Sequence, residues 1–267
     1  MPSSKTDKNT SHTNKTDMTH NIKAGLQLVI DADMVVFKAA AAAEQEIRWD
    51  DDTWTLQTNV QDAKTIITQQ LEAIMSDLVS TDIVMVFSPK RTFRHDIWPE
   101  YKANRKGKRK PLGLGELREW VTDTYITLAY DNIEADDAIG MLVTEAPEKR
   151  IAVSGDKDFG TLPITWYNNL KKELKTTTLE EADRFHLLQS LMGDTADGFA
   201  GLKGCGPKTA EKILDKGGAT WETVVKAYES KGATEEDALM TARLARILRN
   251  GEYEYATGEV SLWTPSA

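Results

Sequence analysis

LQLVIDADMVVFKAAAAA, residues 26–43, decides the architecture. Its opening LQLVI is too short for a buried helix, has the length of a buried strand, and runs into Asp31 and Asp33. The stretch that follows, VVFKAAAAAEQEI, is a strong helix former. The same motif of an apolar run closing on a polar residue recurs as DIVMVFS (82–88), YITLAYD (125–131) and RIAVSGD (150–156). Between these runs, AKTIITQQLEAIMSDLV (63–79) and AIGMLVTEA (138–146) carry apolar residues at helical spacing. Strands alternating with helices predict an α/β fold, a mainly parallel sheet flanked by helices on both faces. From about residue 179 the strand signal fades. LEEADRFHLLQSLMGD, PKTAEKILDK, WETVVKAYES and TEEDALMTARLARILRN read as helices separated by glycine-rich turns, and EYEYATGEVSLW (252–263) reads as a final strand pair returning to the first domain. There is no internal repeat.

These signals divide the chain into a sheet domain over 24–180 with a basic segment at 88–118, a helical region over 181–250, and a C-terminal segment over 251–267. The first 23 residues are polar, lack the apolar core of a secretory signal, and read as a disordered tail. Of 267 residues, 40% are hydrophobic and 28% charged, an ordinary globular balance. The net charge of −9 argues against binding polyanions unless positive charge is gathered in one place. A single cysteine, Cys205, excludes an internal disulfide and a multi-thiolate zinc site, and makes a reducing cytoplasm the expected compartment. No stretch approaches the roughly 18 uncharged apolar residues of a membrane span, so no membrane partner is expected.

Three expected strand ends are acidic: Asp31 with Asp33, then DNIEADD (131–137) with Glu134, Asp136 and Asp137, then Asp156 with Asp158. Parallel strands bring their C-terminal ends to one crevice, so acids far apart in sequence should meet there. Asp194 and Asp197 in MGDTADG open the helical region and could face the same crevice. Asp131 with Glu134 makes a reasonable capping box, which leaves Asp136 and Asp137 unexplained. Converging carboxylates repel and have their pKa values raised unless cations intervene. Hard divalent ions answer this, and a pair of them can activate a water and stabilise the leaving oxygen of a phosphodiester. A calcium-storage loop is excluded, because DTADGFAGLKGC lacks the required spacing and puts Cys205 where glutamate belongs. The four histidines show no metal-ligand spacing.

SPKRTFRHDIWPEYKANRKGKRKP (88–111) carries nine Lys and Arg against two acids, six of them within residues 102–110. Phe93, Trp98 and Tyr101 interleave with cations that include Arg94, Lys102, Arg105 and Lys106, as a surface meeting phosphates and bases requires. GLKGCGPKTAEKIL (201–214) places Gly204 and Gly206 ahead of a helix that starts at Pro207 and carries Lys208 and Thr209 in its first turn. Pro207 and the absence of a preceding strand exclude a nucleotide P-loop. A helix-hairpin-helix gripping duplex backbone is the alternative to a plain interhelical turn.

The ordered motifs VIDAD, FRHDIWPEYKANR, IEADDAIG, SGDKDF and MGDTADGFAGLKGCGPKTA resemble the 5′-nuclease superfamily over residues 26–214, and the ending ARILRNGEYEY…VSLW is most similar to the exonucleases of T-odd podoviruses. The resemblance implies a PIN-like sheet domain, a helical gateway over the active site and a three-helix helix-hairpin-helix region. It implies a metal-dependent 5′–3′ exonuclease, with flap endonuclease activity, acting on double-stranded DNA with 5′ ends or flaps, and on RNA–DNA hybrids as a second substrate. Two Mg²⁺ or Mn²⁺ are implied. Asp31, Glu134, Asp136 and Asp137 would serve the catalytic ion, and Asp156, Asp158, Asp194 and Asp197 the second. Lys102 and Arg105 match cations that contact the scissile phosphate, Tyr101 a base-stacking position, and the hairpin around Gly204 and Gly206 a duplex clamp that can hold K⁺. The family usually ends its second core strand in aspartate, where this chain has Ser88; Asp33 is expected to compensate in part. Two other readings remain: a PIN-class ribonuclease, which has no need of the glycine hairpin, and a DNA-binding protein without chemistry.

Overall fold

The computed structural model describes residues 25–265, so the expected tail over 1–23 lies outside the described residues. β1 (Gln27–Asp31) passes directly into α1 (Ala32–Ala42), because the Asp31 carboxylate caps that helix by accepting from the Met34 amide. A hairpin, β2 (Glu44–Arg48) with β3 (Trp54–Thr58), precedes α2 (Val60–Leu78) and β4 (Ile83–Val86). The basic segment holds the short α3 (Phe93–Ile97) and leads to α4 (Leu114–Thr124) and β5 (Thr127–Leu128). α5 (Ala135–Glu145), β6 (Arg150–Val153), β7 (Thr165–Asn168) and β8 (Glu173–Thr176) complete the sheet region. The sheet order is β5-β4-β1-β6-β7-β8, parallel except for β8, which runs antiparallel beside β7.

Both faces of this sheet are buried, as the continuous apolar strands require. Leu28 and Ile30 of β1, Met85 of β4 and Val153 of β6 point to a core shared with α1, α2 and α4, through Ala39, Ile67, Leu71, Leu117 and Val121. The alternate residues Val29, Val84, Val86 and Ala152 point to a second core under α5, with Ile139 and Val143. The period-2 alternation of side chains thus divides each strand between two cores.

α6 (Leu179–Met192) begins with a Thr178–Glu181 capping box and opens the helical part. A tight ribbon, β9 (Gly193–Asp194) with β10 (Phe199–Ala200), follows, then α7 (Pro207–Gly217), α8 (Trp221–Glu229) and α9 (Glu235–Ala245). Leu187, Leu191, Leu202, Leu214, Val224 and Tyr228 form its separate core. Gly193 and Gly201 cross so closely that a Cβ on either would strike the other's backbone, and this fixes the loop that carries Asp194 and Asp197. The expected final strand pair forms as β11 (Tyr253–Glu254) with β12 (Glu259–Val260). It makes its own two-stranded ribbon and packs Tyr253 and Val260 into the core under α5.

Three details depart from the sequence reading. The helix read through Ile47 stops at Ala42, and EQEIR pairs with the β-branched and aromatic WTLQT instead. The β7–β8 pair, TWYN with ELKT, had not been anticipated. The strand expected over 125–131 pairs only at Thr127 and Leu128, since β5 is an edge strand with β4 as its one neighbour.

Gly140 of α5 faces residues 247–248 with no room for a side chain, because an added Cβ would meet the Leu248 carbonyl and Ile247. Gly140→Ala should therefore lose about 1–3 kcal/mol through overpacking, despite alanine's better helix propensity. Urea unfolding checks this; equal or greater stability would show that the C-terminal segment does not seat on α5.

Candidate active site

The C-terminal edge of the sheet is where the acids gather. Asp31, at the end of β1, also accepts from the Ser154 hydroxyl at 3.1 Å, just beyond β6. Asp156 caps the 3₁₀ turn Lys157–Thr161 by accepting from the Asp158 amide at 2.8 Å. Asp136 stands in the first turn of α5. The β9–β10 loop supplies Asp194 and Asp197, with Asp194 accepting from the Ala196 amide at 2.7 Å. A cleft of about 130 Å³ is lined by Glu134, Asp136, Asp156, Asp158, Asp194 and Asp197 together with Lys102, Arg105 and Gln189. Asp31 adjoins it, close enough for its charge to act on Asp136.

This crowding shows in the titration of the acids. Burial, with the neighbouring charges of Asp33 and Asp156, pushes Asp31 up to about 6. Burial and the charge of Asp156, with smaller effects from Asp194 and Asp197, push Asp158 up to about 7. Asp136 is raised well above the carboxylate range, by burial first and then by Asp31, Asp156 and Glu134. Among the described residues the Asp136 carboxylate has no hydrogen bond or ion pair. An all-oxygen donor set with uncompensated charge suits a hard divalent cation. Even so, no three acidic, histidine or cysteine side chains among the described residues already stand as a coordination set. Several of the oxygens are instead engaged by protein groups.

Those groups come from the basic segment. Lys102, at a left-handed φ of 54°, donates its amide to the Asp197 carbonyl at 2.7 Å and its Nζ to Glu134 Oε1 at 2.6 Å. Arg105 pairs with the Asp197 carboxylate. Burial alone would raise Glu134, but Arg94 and Lys102 outweigh it and bring the group down to about 2. Arg109 is bound bidentately by Glu44 of β2, at 2.6 and 2.8 Å, so one cation of the run fastens the segment to the hairpin. Lys106 is exposed beyond the cleft. Gly204 and Gly206, in the separate turn ahead of α7, and Lys208 and Thr209, in its first helical turn, are also exposed.

Five expectations need correction. Asp137 is not a cleft acid: it is 0% exposed and bound by Arg94 at 2.5 and 2.8 Å, and it also accepts from the Glu134 and Leu248 amides. Arg94 is therefore no DNA contact; at 3% exposure it spends its remaining donors on the Leu244 and Arg246 carbonyls. Tyr101 cannot stack a base. It is 2% exposed, packed between His95 and Phe199, with its hydroxyl on Glu134 and Asp197 at 2.8 and 2.9 Å. Asp33 does not replace a carboxylate at Ser88, because it accepts from the Ser88 amide at 2.7 Å and pairs with Arg118. The Ser88 hydroxyl accepts from the Ala135 amide at 2.9 Å, capping α5. The capping box itself is Glu134 with Asp137, one turn later than the Asp131–Glu134 box expected.

The sequence reading passed over Ser154 and Gln189. Ser154 sits in SGD at a strand end, and Gln189 is a polar residue in the buried stretch HLLQSL of α6; both carried a signal in their position.

Residues 26–185 match the family described as 5′–3′ exonuclease, N-terminal resolvase-like domain. The exodeoxyribonuclease of Enterobacteria phage T3 is 29% identical, over 89% of this chain and 92% of its own. The exonuclease of Escherichia phage T7 is also 29% identical, over 89% of this chain and 93% of its own. Among solved structures, a bacteriophage T5 flap endonuclease in complex with DNA and metal ions superposes with a TM-score of 0.63 at 17% identity, covering 82% of this chain and 88% of that one. The last likeness is one of fold.

Two predictions follow from the geometry. Arg94→Met leaves Asp137 as a buried, unpaired charge and should destabilise by about 3–5 kcal/mol, while Arg94→Met with Asp137→Leu should recover most of the loss. Chemical denaturation distinguishes them, and a mild single-variant effect would remove Arg94 from the core. Carboxyls with raised pKa bind protons more tightly when folded, so their stabilisation is full near pH 4 and is lost as pH rises through about 6 to 7. In EDTA the melting temperature should therefore fall between pH 5 and 8, and Mg²⁺ at pH 8 should restore it. A flat profile would mean that neither burial nor neighbouring charge raises these acids.

Proposed function

The chain belongs to the family of 5′–3′ exonucleases with a resolvase-like N-terminal domain, and from that premise we propose that it hydrolyses phosphodiesters at the 5′ ends of duplex DNA in a divalent-metal-dependent reaction that leaves 5′-phosphate products. The observation that carries the reading is the single cleft in which six carboxylates face Lys102 and Arg105. A related fold solved with DNA and metal ions supports it.

In this reading Asp31, Glu134 and Asp136 hold one Mg²⁺ or Mn²⁺, and Asp156, Asp158, Asp194 and Asp197 serve a second. Asp137 drops out of the set because Arg94 occupies both its oxygens. When bound, such ions neutralise charge on the transferred phosphoryl group and lower the pKa of water. The protein's own part is positional and electrostatic. Tyr101 ties Glu134 to Asp197 and so sets the spacing between the two groups of acids. Lys102 and Arg105, held at the cleft by Glu134 and Asp197, meet an incoming phosphodiester and stabilise charge developing on its oxygens. Lys106 and its basic neighbours draw in the backbone, an attraction that weakens with salt.

The sheet domain, 24–180, supplies most of the cutting site, and the helical region, 181–250, adds Asp194 and Asp197 to it and holds the duplex. There Gly204 and Gly206, with the Lys208 amide at the start of α7 and the side chains of Lys208 and Thr209, grip duplex backbone without reading bases. Of the hairpin carbonyls, Leu202 already accepts from Cys205, and Gly206 from Thr209 and Ala210. K⁺ held at this turn would use the second lone pair of the Leu202 carbonyl together with carbonyls not so engaged.

The test uses 5′- and 3′-labelled duplex, a 5′ flap and an RNA–DNA hybrid, each with Mg²⁺ or EDTA. Release of 5′-phosphate products from the 5′ end with Mg²⁺ alone is expected. Asp136→Ala should abolish cleavage while leaving DNA affinity in Ca²⁺ unchanged, and Lys102→Ala should lower kcat by about 10²–10³. Equal loss of binding and cleavage in Asp136→Ala would contradict its role, as would full activity in EDTA.

A further inference from the structure

Gln189 is the one uncharged polar side chain lining the cleft that has no task in this reaction. It sits on the buried face of α6 beside His186, Leu187, Leu188 and Leu191, where an apolar residue would satisfy packing. It is 5% exposed. Its neighbour Ser190 resolves the same difficulty within the helix by donating to the His186 carbonyl at 2.8 Å. Gln189 instead extends to the 3₁₀ turn and donates Nε2 to Asp158 Oδ1 at 2.6 Å. With Asp158 ionised, the state in which it would serve a cation, the orientation of the amide follows from that contact, since reversing it would set two acceptors against each other. Its Oε1 is then buried with no hydrogen-bond partner among the described residues. Leaving a buried carbonyl oxygen unmatched is costly, and a leucine would avoid that loss. The arrangement at Asp158 is also one-sided. Oδ1 takes Gln189, with Lys157 Nζ at 3.9 Å, whereas Oδ2 takes no protein donor among the described residues.

We propose that Gln189 is a positioning residue for the ion site built around Asp158: its amide group turns the second carboxylate oxygen toward the cleft, and its free Oε1 accepts a hydrogen bond from a water carried in by a divalent cation. The inference rests on the metal-dependent reading above. Groups that orient a metal ligand in this way commonly govern affinity by about 10–100-fold. The role differs from that of Tyr101, which connects Glu134 and Asp197 and has no unmatched atom.

The experiment titrates Mn²⁺ into the full chain by calorimetry, for the natural protein, Asp136→Ala, Gln189→Leu and the closer isostere Gln189→Met, with melting temperatures in EDTA for each. The natural protein should bind two ions. Both Gln189 variants should weaken one of them by about 10–100-fold and leave the other unchanged, while melting in EDTA at the natural temperature or above it. Retained affinity at both sites in Gln189→Leu and Gln189→Met would overturn the inference and leave the metal reading intact. A lower melting temperature in EDTA with natural affinity would make Gln189 a packing residue only. If the natural protein binds no Mn²⁺ at all, the metal reading itself fails, and that result is distinct from the others.

Discussion

Repulsion among like charges is the constraint on which this structure turns. Asp31 and six cleft carboxylates arrive from four separate parts of the chain, and the parallel sheet leaves them nowhere to diverge. The protein compensates them unevenly. Glu134 and Asp197 receive lysine, arginine and tyrosine donors, and Glu134 falls to about 2 despite its burial. Asp31, Asp136 and Asp158 receive no such cation at hydrogen-bonding distance, and all three are raised. The uncompensated acids mark where positive charge has to come from outside the chain.

Beneath the cleft, the Arg94–Asp137 pair does the opposite work. Asp137 sits beside Asp136 in sequence, yet one helical position turns it from the cleft into the core. Its oxygens take a guanidinium and two backbone amides, and the guanidinium also binds carbonyls at residues 244 and 246. The basic segment, the start of α5 and the chain leaving α9 are therefore joined at one buried ion pair. Such a pair contributes little net energy against an apolar replacement, and its value lies in the register it imposes. Lys102 and Glu134 meet at 2.6 Å because α3 and α5 are held in that register.

Much of the fold was legible because buried parallel strands announce themselves as short apolar runs. VIDAD, VMVF and IAVSGD each located a strand, although β4 stops at Val86 and β6 at Val153, short of the polar residues that close those runs, and parallel topology brought most of the acids to one edge. The hairpin at 44–58 was hidden by the alanine run ahead of it, and β7–β8 by their polar content. At the site, sequence placed the acids together but could not assign each one a direction. Asp136 and Asp137 look equivalent in DNIEADD, and only the helical rotation separates them. Tyr101 looked like an exposed aromatic among cations, whereas Phe199 and His95 enclose it from elements remote in sequence or turned by the chain. Gln189 had only its polarity within a buried stretch to announce it. An unmatched oxygen becomes visible only when its surroundings are known.

The most direct test of the shared cleft is an anomalous difference map from crystals grown with Mn²⁺. Peaks among Asp31, Glu134, Asp136, Asp156, Asp158, Asp194 and Asp197, with Asp137 still bound to Arg94, are the predicted result. A fully occupied Mn²⁺ elsewhere on the molecule with none in the cleft, or a peak ligated by Asp137, would contradict it.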